Sequence, residues 1–81
     1  MPVFYFHLQY DTRLSLDDEG SEFPTLSAAK QEARTTARDM VVEAIRFEHK
    51  SVPNALLVAD DTGRTLHTFP FVAVLPERMK T

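Results

Sequence analysis

The chain has 81 residues, a formal net charge of −3 and no cysteine. Its length fits one domain, the missing thiols exclude disulfides, thiolate catalysis and cysteine-ligated zinc, and the acidic balance disfavours nucleic acid, which needs a basic footprint. An N-terminal apolar run of about six residues falls far short of the ~20 that cross a bilayer and has no leader-like flank, so a soluble cytoplasmic domain is expected, with no membrane partner.

Residues 3 to 9 read as a strand, because β-branched and aromatic side chains dominate them. Phe4, Phe6 and Leu8 point one way, and Val3, Tyr5 and His7 the other. The first set has no polar member and is assigned to the core side. Tyr10 to Gly20 is rich in turn residues. Within it Arg13 to Leu16 suits a short strand, and Asp17-Asp18-Glu19-Gly20 a tight turn with glycine at positive φ. Ser21 to Phe23 suits a short extended segment that Pro24 separates from the next element.

One long helix is predicted from about Leu26 to Phe47, with Thr25 as N-cap and Ser27 as the alternative. Leu26, Ala29, Ala33, Ala37, Met40, Val41, Ala44 and Phe47 fall at steps of three and four and form its apolar stripe. The three alanines let the first half lie close to a sheet. Val42 lies outside the stripe and, with Ile45 at its margin, makes a small secondary patch.

A polar connector is expected over His49 to Pro53, then a strand over Ala55 to Asp60. Asp60-Asp61-Thr62-Gly63 is a hairpin signal, a type I turn closed by a glycine in the left-handed region. Arg64 to Phe69 is the returning strand, which Pro70 ends or confines to an edge. Phe71 to Leu75 is apolar throughout and fits either a strand extension or one helical turn across the sheet. Residues 76–81 are expected to be a loose tail, leaving 1–75 as the domain.

This order predicts an α+β fold, a small antiparallel sheet of three to four strands with one long helix packed on one face. A single helix shields a single face, yet the first strand is apolar on both. The second face therefore needs a partner, a C-terminal segment or water. Val3, Tyr5, Leu57, Phe69 and Phe71 are the candidate interaction surface on it, and a homodimer, or another protein, is the expected partner.

The same residues resemble a family of short bacterial proteins made of a single domain of unknown function. Val3 to Leu8 is similar to that family's Tyr-Phe-Phe-His-like opening strand, and Asp17-Asp18-Glu19-Gly20-Ser21-Glu22-Phe23-Pro24 to its acidic Gly-x-Glu-x-Pro turn. Leu26, Ala29, Glu32 and Ala33 match its helix, and Asp60, Gly63, Arg64, Pro70 and Phe71 its closing hairpin. Val3, where a basic residue is usual, and the apolar Val72 to Leu75 depart from the pattern. The resemblance implies no activity. A looser similarity to small antitoxin-like domains concerns layout only.

Lys30, Arg34 and Arg38 stand at i, i+4 and i+8 on one flank of the helix, with Asp39 and Glu43 on the other. Segregated charge of this kind suits docking, and it gives the alternative function, a nucleic-acid-binding or antitoxin-like regulator using this basic ridge. Its ordinary meaning is a solvated flank whose long side chains cover the core edge. Asp17, Asp18, Glu19 and Glu22 lack the spacing of a calcium loop and read as a solvated turn. His7 and His67 would need neighbouring strands and a shared face to hold a metal between them. No nucleophile elbow, phosphate loop or His-Glu-x-x-His run is present. No catalytic residue, cofactor or metal is expected.

Overall fold

The computed structural model describes residues 1–47 and 52–74. The expected tail over 76–81, Leu75, and the connector from His49 to Ser51 lie outside them. The elements are β1 (Val3–Gln9), β2 (Leu14–Ser15), β3 (Ser21–Glu22), α1 (Leu26–Phe47), β4 (Ala55–Ala59), β5 (Thr65–Pro70) and a 3-10 turn (Phe71–Val74). The sheet runs β2-β1-β4-β5, with β3 also on β1, and every pairing is antiparallel.

Among the described residues the sheet has five strands, more than the three to four expected. The difference lies in the turn-rich stretch after β1. There β2 pairs with Leu8 and Gln9, and β3 with Val3 and Phe4. They are two fragments of one edge strand, split by residues 16–20. Two-residue strands are too short to carry a period.

Register fixes the faces. Phe6 lies opposite Val58 and Leu8 opposite Leu56, and all four belong to the helix side. Tyr5 opposite Ala59 and His7 opposite Leu57 belong to the other. The helix meets the sheet through Ala29, Ala33, Ala37 and Val41, all buried, against Phe4, Leu56 and Val58. The alanine row lets helix and sheet approach closely, as the stripe predicts. Thr25 is the N-cap: its Oγ1 accepts from the Ala28 N–H at 3.1 Å, and its carbonyl from Ala29.

Three expectations about packing are corrected. Phe47 closes the predicted stripe, yet it is 49% exposed. A helix of 22 residues spans about 33 Å, while strands of five to seven residues span about 17–23 Å. Its last turn therefore runs past the sheet. Phe69 and Phe71 do not lie on the uncovered face. Phe69 faces Leu56 across the β4–β5 ladder and packs on the core. Phe71 is buried in the core because the 3-10 turn folds toward the helix, held by its N–H donating to the Asn54 carbonyl at 2.9 Å. Pro70 ends the ladder and starts that change of direction.

The β4–β5 hairpin forms as its residues predict. Gly63 sits at φ 88° and donates to the Asp60 carbonyl. Asp60 Oδ1 accepts from the Thr62 hydroxyl and from the Thr62 and Arg64 N–H groups. The Asp60 carboxyl is held below its usual value first by the Thr62 hydroxyl, against desolvation, which pushes it up, and then by those N–H groups and the Arg64 guanidinium.

Candidate functional site

The sheet face turned away from α1 carries a groove of about 460 Å³. Its floor is Tyr5 and His7 from β1 and Leu57 from β4. One lip is β2 and the segment after it, with Leu14, Leu16, Asp17 and Asp18. The other is the hairpin turn, with Asp60, Asp61 and Gly63, continuing to Thr65. The 3-10 turn lies against the helix and β5, with Phe71 in the core on the opposite side of the sheet from this groove.

The first lip is built by one side chain. Between the two edge fragments, the Phe6 N–H has no strand opposite it. It donates instead to Asp17 Oδ2 at 3.1 Å. Asp17 Oδ1 accepts from the N–H groups of Glu19 and Gly20, each at 3.2 Å. The Asp17 N–H in turn donates to His7 Nδ1 at 3.0 Å. A ring nitrogen that accepts carries no proton, so the His7 proton is on Nε2. Asp17 thus replaces the missing middle of an edge strand and fixes the His7 ring, which stacks at 22° on Tyr5.

Burial pushes the Asp17 carboxyl up, but the N–H groups of Phe6, Gly20 and Glu19, with His7 nearby, together hold it below its usual value. A carboxyl whose folded pKa is depressed stabilises the fold above its unfolded pKa, and that stability is lost as pH falls through the folded value. The Asp17→Asn variant should therefore be less stable than the parent by about 1–2 kcal/mol at pH 7. The gap should close as the pH is lowered from about 5 toward 2. Urea unfolding at a series of pH values measures it, and a gap that stays constant with pH would remove the carboxylate from this role.

The candidate residues separate into three places. Val3, Tyr5 and Leu57 lie on the open face, with Val3 beyond the groove beside Gly20. Phe69 and Phe71 are on the helix side, in the core. Lys30, Arg34 and Arg38 follow the flank of α1, in the other layer from the groove, with Arg34 and Arg38 exposed and Lys30 partly buried. His7 and His67 are not brought together. They sit on opposite faces with β4 between their strands, and His67 meets Phe69 edge-on at 4.5 Å. The turn acids do not converge either: among the described residues no three His, Asp or Glu side chains are placed to hold a metal ion.

Sequence reasoning missed Leu14 and Leu16, which are 49% and 60% exposed and carry the apolar character of one lip. The signal was present: two leucines two apart share a strand face, and Leu14 pairs with Gln9 on the uncovered side. It also missed that Gly20 brings bare backbone against Val3 and Tyr5, where an added Cβ would lie 2.7 and 2.8 Å from their side chains.

Fold and groove define a two-layer α+β domain whose sheet is covered on one side and grooved on the other. The chain belongs to the family named Domain of unknown function (DUF6894), whose model matches residues 3–72. That match runs from the first strand into the 3-10 turn and contains every residue of the groove. No curated protein and no solved structure matches the chain. No helix among the described residues is long and apolar enough to cross a membrane.

Proposed function

We propose that the domain is a bacterial, cytoplasmic protein-interaction module that performs no catalysis and docks its partner on the uncovered face of the sheet. One observation carries this reading: apolar side chains from three separate segments, Tyr5, Leu14, Leu16 and Leu57, gather around one groove on that face. A groove with an apolar floor and a polar rim is the usual form of a recognition surface.

Self-association is the form that the excess of apolar sheet surface suggested. The lips weigh against it at neutral pH. A twofold pair through this face would gather two sets of Asp17, Asp18, Asp60 and Asp61 around one contact, and like charge brought together weakens an interface. The basic ridge of α1 supports nucleic-acid binding less well, since three cations on an acidic chain make a thin phosphate footprint.

Selection of peptides from a random displayed library on the immobilised domain tests the reading. Enriched peptides should lose binding to the Leu14→Ser/Leu16→Ser double variant and keep it with Val42→Ser on the helix. Both leucines are largely exposed, so the double variant should stay folded. No enrichment, or peptides that respond to Val42 and ignore the leucines, would refute the docking face.

A further inference from the structure

The two lips of the groove are both acidic, but their carboxylates are not equivalent. Asp17 is committed to three backbone N–H groups, and Asp60 to Thr62 and Arg64. Asp18 and Asp61, their chain neighbours, are exposed and make no hydrogen bond or ion pair with any described residue. Each lip therefore presents one uncommitted carboxylate, and each holds it on a loop whose shape the adjacent aspartate fixes. Between them lies a floor of Tyr5, His7 and Leu57, with Leu14 and Leu16 along one side.

We infer that the groove takes an extended segment of another protein in which an apolar side chain is flanked by lysine or arginine on both sides. This rests on the docking role proposed for the open face and adds the chemistry of the partner. The apolar side chain seats over Leu57 and the Tyr5 ring, where burial of its surface supplies the non-directional attraction. The flanking cations meet Asp18 on one lip and Asp61 on the other, which sets the register of the segment along the groove. A neutral segment leaves two carboxylates unmatched, and an acidic one adds repulsion on both sides. A second copy brings acidic lips of its own, so charge complementarity selects a different, basic chain.

Three synthetic twelve-residue peptides, of alternating Leu and Lys, alternating Leu and Glu, and alternating Ser and Lys, separate the contributions. Each is titrated into the isotope-labelled full chain, and amide shifts are followed by NMR. The Leu–Lys peptide should shift Tyr5, His7, Leu16, Leu57 and Asp61. Its affinity should fall at least tenfold with Asp18→Asn/Asp61→Asn, and should fall steadily as salt rises and screens the charges. The Leu–Glu peptide should not bind, and the Ser–Lys peptide should bind at least tenfold more weakly than Leu–Lys.

Equal binding of Leu–Lys and Leu–Glu, or indifference to the double substitution, would overturn the basic partner while leaving the docking face in place. Equal binding of Ser–Lys and Leu–Lys would overturn the apolar anchor. Leu–Lys shifts confined to α1 or to the Glu19–Glu22 edge would overturn the inference and the docking face together. Self-association of the labelled chain without peptide, seen as concentration-dependent shifts of the same amides at low salt, would overturn the preference for a different chain.

Discussion

Phe71→Ala should be among the most damaging single changes in this domain, costing about 3–5 kcal/mol. The side chain is 2% exposed and sits in the core with Leu56, Val58 and the alanine face of α1. Removing it leaves a cavity under the C-terminal turn, and the turn has few other anchors: the Phe71 N–H on Asn54 and its contacts with α1 and β5. Its neighbour Val72 is 54% exposed, and Val72→Ala should change stability by no more than about 0.5 kcal/mol. The pair is informative because the sequence alone places Phe71 on the uncovered face, where its loss would cost little. Urea unfolding of both variants decides between the two placements. Since a whole domain is stable by only about 5–15 kcal/mol, Phe71→Ala should lower the midpoint severely. A small effect from Phe71→Ala would return the C-terminal turn to the open side of the sheet.

The second large effect is expected at Gly20, and Gly63 supplies its control. Both glycines hold positive φ, 71° and 88°. Gly63 has nothing within 4 Å of where a Cβ would stand, so Gly63→Ala should cost only the left-handed backbone penalty, about 1–2 kcal/mol. At Gly20 the new methyl would meet Val3 Cγ1 at 2.7 Å and Tyr5 Cε2 at 2.8 Å. Val3 is β-branched and stiff, and the Tyr5 ring is held in its stack on His7. Something must move, which adds roughly 1–3 kcal/mol of overpacking to the backbone cost. Gly20→Ala should therefore be less stable than Gly63→Ala by about 2 kcal/mol. It should also disturb the groove, because the Gly20 N–H is one of the three that hold Asp17. Equal costs at the two glycines would mean that the loop carrying Asp17 does not lie against Tyr5.

How far the sequence reveals this molecule depends on the length of each signal. The helix was legible because 22 residues give its apolar period several turns, and Thr25 marks its start. The β4–β5 hairpin was legible because Asp60 to Gly63 needs a particular turn, and Gly63 adopts the expected φ. The alternation in β1 separated its faces correctly, since Phe4, Phe6 and Leu8 do face the helix. Residues after Pro70 were not legible by period: a five-residue apolar run fits a strand or a turn equally, and only tertiary contact with α1 decides. The groove was half legible. Tyr5 and Leu57 followed from strand alternation, and the Asp60–Gly63 lip from its turn residues, whereas the lip with Leu14 and Leu16 depends on a loop closed by Asp17 across ten or eleven residues of sequence. Side-chain bonds of that reach leave no local pattern to read.

The docking role requires the face bearing Tyr5, Leu16 and Leu57 to be open in the isolated chain, and a soluble gadolinium relaxation agent tests that most directly. Under dilute, monomeric conditions the Leu14 and Leu16 methyl signals should broaden strongly and those of Leu57 and the Tyr5 ring measurably, while Leu56, Val58 and the Phe71 ring stay sharp. Protection of Leu16, Leu57 and Tyr5 to the level of Leu56 in the full-length monomer would mean that the chain covers its own groove, and the docking account would be contradicted.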